Sequence, residues 1–331
     1  MKKALLLLVA FLSSLSFSAC NGAAKGPIYN FSSSDGAAFT PYAVEYEDTV
    51  YFSSFYDELY SYRDGTVTLL ETEFNAHSMT LLDNYLYYCG TIDRNPDGFY
   101  RRKLSKDGKS IGEPEKLYNF SSSESLPNAA WTDGKHLFFL YYDGLLRVSL
   151  ADETETFWSL DWNTYSGSLL VWKGKLYLNI GKNFILTAID LKTGDKEIVS
   201  EQPAIALGVL DGELFLKPLS SASEDKEPDT DPIVFTDQNI FYRIGTEIYT
   251  KDLDKYMYAY TIPIQGSLLD PQFLVVGDNL LMRSFYPIDP SEVDYNIPGS
   301  DMTDTNIYQY LLTDDRDLIL LLADDVRYPL S

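Results

Sequence analysis

The sequence is short of the residues on which most enzymes and most small secreted domains depend. It has two histidines and two cysteines in 331 residues. His77 and His136 stand far apart, which leaves no cluster from which a zinc site could be built and points to structural histidines. No Gly-x-Ser-x-Gly elbow, His-Glu-x-x-His pair or Walker loop occurs, so no catalytic residue, cofactor or metal centre is expected from motif. Positive charge is scarce as well. Against 49 Asp and Glu stand 26 Lys and Arg, a formal net charge of −23. That balance argues against nucleic acid as a partner and against lying flat on anionic lipid, since both need a cationic face. Solubility above a membrane surface is the plain reading of so much negative charge.

Long apolar runs are missing too, with one exception. Met1-Lys2-Lys3 is followed by the run Ala4 to Phe17, shorter than the ~20 residues of a spanning helix, and it reads as a signal peptide over 1–19. The run ends Phe17-Ser18-Ala19-Cys20, which resembles the bacterial lipobox, although Phe17 stands where Leu is usual. The resemblance implies that Cys20 is lipidated and becomes the mature N-terminus. Residues 20–26 then form the lipidated Cys and a short spacer, and the domain spans 27–331. Two or more acyl chains would hold stably, at ~0.8 kcal/mol per buried methylene. With Cys20 so used, Cys89 in Tyr85-Leu86-Tyr87-Tyr88-Cys89 has no intrachain partner and is expected to be a buried structural thiol.

What the chain does have is β-forming material: 26 Tyr, 18 Phe and 45% hydrophobic residues. It is arranged in a recurring pattern of a turn pair followed by an aliphatic residue and apolar or aromatic positions. The pattern is anchored on Val50, Leu86, Leu137, Leu176, Leu214, Ile240 and Leu280, at spacings of 36, 51, 39, 38, 26 and 40. A period near 40 with turn dipeptides at matching places predicts an all-β fold, a β-propeller of seven blades. Third strands follow at Leu59 to Tyr62, Phe99 to Arg102, Leu145 to Val148, Leu186 to Ile189, Ile248 to Lys251 and Ile307 to Tyr310. The hairpin at Leu214 lacks one, because the polar stretch from Ser220 to Asp231 intervenes. A six-bladed ring with an inserted hairpin is therefore the alternative.

The string Tyr29-Asn30-Phe31-Ser32-Ser33-Ser34 returns as Tyr118-Asn119-Phe120-Ser121-Ser122-Ser123. The second copy sits where the outer strand of the second blade belongs. By analogy Ile28 to Phe31 should be the outer strand of the last blade and close the ring, with Leu318 to Leu322 as the rival for that slot.

The hairpin signature, together with strands such as Ile248-Tyr249-Thr250-Lys251-Asp252-Leu253, resembles a family of uncharacterised bacterial propeller-like lipoproteins, distantly similar to YWTD propellers. No Tyr-Trp-Thr-Asp tetrapeptide occurs, so receptor-type ligand binding is not implied. The resemblance implies a fold and no activity.

Two local features carry possible chemistry. Asp93-Arg94-Asn95-Pro96-Asp97-Gly98 matches the first half of a calcium loop, which makes Asp93, Asn95 and Asp97 a calcium candidate. The position of the closing bidentate Glu is Leu104, however, and as an Asp/Asn/Gly hairpin turn the string needs no metal. The stretch from Pro287 to Thr305 interrupts a hairpin near the C-terminus and carries apolar residues in a loop. Tyr286, Ile288, Val293, Tyr295 and Ile297 are its candidate recognition residues.

These features lead to an expectation of an extracytoplasmic lipoprotein, anchored to the bacterial membrane through Cys20, whose propeller is a binding or scaffold module for a protein or glycan partner. A glycan-processing enzyme using paired carboxylates is the alternative.

Overall fold

The computed structural model describes residues 29–30, 41–54, 57–92, 95–120, 126–160, 169–181, 185–210, 213–218, 231–235, 240–244, 247–252, 255–261, 272–276, 279–287, 305–312 and 318–326. Among these residues there are strands and turns and no helix. After β1 (Tyr29–Asn30), seven antiparallel sheets follow one another along the described chain.

The first sheet is β2 (Ala43–Tyr46), β3 (Thr49–Ser53), β4 (Leu59–Arg63) and β5 (Thr66–Glu71). The second is β6 (Ala76–Leu82), β7 (Tyr85–Ile92), β8 (Asn95–Lys103) and β9 (Glu115–Asn119). The third is β10 (Ala129–Thr132), β11 (His136–Tyr141), β12 (Gly144–Ser149) and β13 (Glu155–Ser159). The fourth holds β14 (Leu169–Trp172), β15 (Lys175–Ile180), β16 (Ile185–Asp190) and β17 (Lys196–Ile198), and the fifth only β18 (Ala204–Leu210) and β19 (Glu213–Pro218). The sixth is β20 (Asp231–Phe235), β21 (Ile240–Ile244), β22 (Glu247–Asp252) and β23 (Lys255–Thr261). The seventh is β24 (Gln272–Val276), β25 (Asn279–Pro287), β26 (Thr305–Leu312) and β27 (Leu318–Val326).

Every hairpin anchor read from the sequence lies on the second strand of a sheet, and the six expected third strands are β4, β8, β12, β16, β22 and β26. The two-stranded fifth sheet is the one whose third strand the sequence lacks.

Register gives each sheet two distinct ends. In the first sheet Tyr46 faces Thr49 and Arg63 faces Thr66 across tight turns, whereas Ala43 faces Phe52 and Leu59 faces Glu71 at the opposite end. The first will be called the turn end and the second the loop end, because the second-to-third connections and the crossings between sheets lie there. Turn-end hairpins follow from backbone chemistry. Asp64-Gly65 and Lys173-Gly174 have positive φ at both central residues (49° and 77°, 49° and 71°), the mirror-image turn that matches strand twist.

The sheets pack face to face through residues that alternate along one strand. In β11, Phe138 and Leu140 enter the core shared with the fourth sheet, while Leu137 and Phe139 enter the core shared with the second. Likewise Leu86 and Tyr88 face the first sheet and Tyr87 and Cys89 the third. Leu176 and Leu178 face the third sheet and Tyr177 the fifth. Val50 and Phe52 pack with Leu281, Leu311 and Leu321 of the seventh sheet, while Tyr51 faces the second. First strands of successive sheets also touch: β2 with β6, β6 with β10, β14 with β18, β18 with β20, β20 with β24, and β24 with β2.

One expectation is overturned. Tyr29 and Asn30 do not form the outer strand of the last sheet; they pair antiparallel with β14, Tyr29 opposite Val171 and Asn30 opposite Leu170. The outer place in the seventh sheet belongs to β27, which pairs with β26 from Leu312 to Thr305. A nine-residue strand rich in leucine satisfies that edge over its whole length, and a two-residue strand cannot compete for it. Tyr29 instead has its ring in the core between the third and fourth sheets, and its hydroxyl donates to the Thr132 carbonyl at 3.0 Å.

The first two sheets are also joined at the turn end by the loop between β8 and β9. Thr49 Oγ1 donates to the Lys106 carbonyl at 3.5 Å, and Ser61 Oγ and Tyr51 Oη donate to the carbonyls of Gly108 and Ser105. The loop fits because Gly108 has φ +68° and no side chain; a Cβ there would lie 2.8 Å from Thr49 Cγ2. Gly65, at φ +77°, has nothing within 4 Å of the same construction. Gly65→Ala should therefore cost about 1 kcal/mol for the left-handed backbone alone. Gly108→Ala should cost at least about twice that, because it adds a clash against a buried methyl. Chemical denaturation of the two variants checks this, and equal losses would show that the loop is not held as described.

Candidate functional site

The loop end is the better candidate for recognition, because there the first strands of the first three sheets begin and are fastened to one another by buried polar groups. The fastening turns on Ser78, a fully buried residue with φ 60° at a bulge between His77 and Thr80. Positive φ in a serine is strained, and here it re-aims the side chain. Ser78 Oγ accepts the Ala130 N–H at 2.9 Å and donates to the Ala130 carbonyl at 3.3 Å. On the other side, the Met79 N–H donates to the Pro41 carbonyl at 2.8 Å. Between the fourth and fifth sheets Asn179, also buried, donates its amide to the Ala204 carbonyl at 2.7 Å.

His77 belongs to the same seam, its Nε2 lying 3.2 Å from the Pro127 carbonyl. A carbonyl can only accept, so Nε2 carries the proton. Burial holds the imidazole below its ordinary 6.5, which keeps it neutral. His136 lies at the turn end, 3.1 Å from the Asp133 carboxylate that also caps the Lys135 and His136 amides. The two histidines thus serve separate ends, as structural residues do.

Around the loop end, carboxylates bind described residues that flank the first second-to-third connection. Glu58 accepts from Tyr60 Oη at 2.7 Å and Ser54 Oγ at 3.4 Å. Asn75, with its amide oriented to donate, reaches both Asp57 carboxylate oxygens at 2.6 and 3.0 Å. Other carboxylates are engaged by cations or turns. Asp97 takes the Lys116 ammonium at 2.8 Å and the Tyr100 hydroxyl, and these hold its pKa below the usual range. Asp190 is lowered in the same sense by the Thr193 and Lys192 amides, Asp107 by the Lys109 amide, and Asp152 by Ser149 and Thr154.

Charge divides between the two ends. Although Arg102, Lys116 and Lys196 reach Glu71, Asp97 and the Ser159 carbonyl toward the loop end, every Lys and Arg whose side chain is described is rooted in the turn half of its sheet, from Arg63 and Lys106 to Lys173 and Lys192. There a cleft of about 490 Å³ is lined by Ser61, Arg63, Asp64, Lys106 and Lys109. Its charges are matched nearby, Lys106 with Glu47 at 2.7 Å and Arg63 with Asp64 at 3.4 Å. The loop half carries Asp57, Glu58, Glu73, Asp143 and Glu201, together with Glu71 and Asp97, which are paired with Arg102 and Lys116.

Of the residues singled out in the sequence, Asp97 stands on β8 in its ion pair, Asn95 begins the same strand, and Asp93 lies outside the described residues. Tyr286 lies on β25 opposite Asn306, one residue before the strand ends at Pro287, so the stretch between β25 and β26 narrows to 288–304. Ile288, Val293, Tyr295 and Ile297 lie outside the described residues, as does Cys20. Ser78 and Asn179 carry no motif, and only the fold brings them to a seam.

The state of His77 makes stability depend on pH. Its folded pKa is depressed, so between that value and 6.5 the unfolded chain binds a proton that the folded chain does not, and stability falls as pH drops through that window. The wild type should lose melting temperature between pH 7 and pH 5, and His77→Gln should flatten that slope, read by thermal unfolding at several pH values. The lowered carboxylates act below about pH 4 and leave the window clear. An unchanged slope in the variant would show that His77 takes up its proton as readily in the fold as in the unfolded chain.

No family model and no curated protein sequence matches the chain. Among solved structures it is similar to a protein given a provisional gluconolactonase assignment, at 14% identity over 78% of this chain and 89% of that one, with a TM-score of 0.40. It is also similar to Hsv2p of Kluyveromyces lactis, at 9% identity over 86% and 99%, TM-score 0.40. A DUF4221 member from Bacteroides vulgatus matches at 9% identity over 76% and 81%, TM-score 0.36. At these scores the likenesses carry no argument about what this chain binds or does.

Proposed function

We propose that the seven sheets are the blades of a closed propeller and that the protein is a binding or scaffold module for a protein or glycan partner, held outside the cytoplasm by lipid on Cys20. Closure is supported by the core that Val50 and Phe52 share with Leu281 and Leu311, and by contact between β24 and β2. The observation that carries the functional reading is the state of the carboxylates. Among the described residues, every Asp whose pKa is displaced is displaced downward, by an ion pair or by turn hydrogen bonds. A glycan-cleaving pair needs one carboxyl held protonated, with its pKa raised. The first strands add to this, since Ala129, Ala130, Leu169, Leu170, Ala204 and Ala206 are buried and apolar.

Recognition is assigned to Tyr286 and the segment after it, with Ile288, Val293, Tyr295 and Ile297. It leaves β25 at the loop end, where β26 begins, and apolar and aromatic residues there would supply contact area. Changing Cys20 to Ser should move the protein from the membrane fraction to the soluble one with its melting temperature kept. Retention on membranes at high salt would refute the anchor. Replacing 288–304 by a short Gly-Ser turn should leave the melting temperature within about 2 °C and abolish capture of a partner from envelope extract. Undiminished capture by a folded variant would refute the assignment.

A further inference from the structure

The direction of β1 fixes which end of the domain meets the membrane, if Cys20 holds the lipid as proposed above. β1 runs antiparallel to β14. β14 begins at the loop end, with Leu169 opposite Leu178, and ends at the Lys173-Gly174 turn, with Trp172 opposite Lys175. Tyr29 therefore lies toward the turn end and Asn30 toward the loop end, so the chain N-terminal to Tyr29 arrives from the turn end.

Nine steps separate Cys20 from Tyr29, a reach of at most about 30 Å at ~3.3–3.6 Å per residue. β1 stands at one edge of the fourth sheet, with β14, β15, β16 and β17 between it and the other. Rounding that outer edge would take four strand spacings of ~4.8 Å, and descending along six-residue strands such as β15 a further ~20 Å. That outer route of roughly 40 Å exceeds the reach, whereas continuing straight from Tyr29 past the turn end needs no reversal of the chain. We infer that the lipid on Cys20 holds the turn end against the bilayer and leaves the loop end facing away from it.

A second and independent observation points the same way. More of the described cations stand in the turn half, whereas in the loop half Arg102 and Lys116 reach Glu71 and Asp97 and the other described acids are Asp57, Glu58, Glu73, Asp143 and Glu201. Against an anionic bilayer the loop half would be repelled and the mixed turn half tolerated, within a Debye length of about 8–10 Å. The partner consistent with the turn face is thus the lipid surface itself. The outward face is the one on which the 288–304 segment opens.

The test uses the full-length protein extracted from membranes and reconstituted into vesicles of phosphatidylcholine and phosphatidylglycerol that carry a fluorescent acceptor on the headgroup. A donor is attached to Lys192→Cys at the turn end or to Tyr142→Cys at the loop end; Lys192 is exposed, Tyr142 is 62% exposed, and Cys89, at 0%, is shielded from the label. Energy transfer should be several-fold stronger from position 192 than from position 142, matching a difference in height of about 20 Å. Equal or reversed transfer, in a protein that Cys20→Ser releases from the vesicles, would overturn the orientation while leaving the anchor intact. Vesicle binding that survives Cys20→Ser would overturn the anchor, and the orientation with it.

Discussion

An apolar sheet face can be covered only by another apolar face, and each of the first four sheets in this protein has two. Strand β11 makes the constraint concrete. Its four central residues are fully buried, but neighbours in sequence belong to different cores, Phe138 stacked on Trp131 and Phe139 edge-on to Phe99. Removing either ring would open a cavity at a cost of about 3–5 kcal/mol, in a different seam in each case. A sheet that ended with such a face uncovered would leave it wet. On the first sheet, Val50 and Phe52 pack with Leu281, Leu311 and Leu321 of the seventh, at the same second-strand positions that face a neighbour elsewhere.

This two-sided burial is also why so much of the fold is legible in the sequence. A strand buried on both faces reads as an unbroken apolar run, Leu137-Phe138-Phe139-Leu140 or Leu176-Tyr177-Leu178, and the turn pair before it marks where it starts. Third strands are legible for a similar reason, and the missing one beside β19 shows as the polar stretch that follows Pro218. What could not be read is where β1 goes. Tyr29-Asn30 and Tyr118-Asn119 are the same dipeptide, yet one joins the first strand of the fourth sheet and the other ends the last strand of the second. Identical local preference cannot choose between sheet edges. That choice is made by length and by competition, and Leu318 to Val326 holds the edge that analogy had given to Ile28 to Phe31.

The loop-end seam was less legible still. Ser78 does its work through a positive φ and a bulge, which redirect a small hydroxyl into the third sheet; nothing in Ala76-His77-Ser78-Met79 announces that. Asp residues mislead in the opposite direction. They look like an excess of potential ligands or catalysts, but Asp133 and Asp190 each accept two backbone amides of their own turns, which is what short acidic side chains do where a chain reverses. Much of the negative charge is in this sense punctuation. Asp97 fits the same account: its string resembles half of a calcium loop, while the carboxylate is already matched by Lys116 across the hairpin.

The pairing of β1 with β14 has a bearing on how the protein comes to be made. Tyr29 emerges among the first residues of the domain, but its partners come much later, Thr132 through the hydroxyl after two complete sheets and Val171 along the ladder after three. The contact is therefore of long range in sequence, and contacts of that kind form late because a large loop must close around them. For a chain threaded N-terminus first, the earliest segment waits as an open end while the sheets assemble behind it. Its docking into the seam between the third and fourth sheets then records that both are in place.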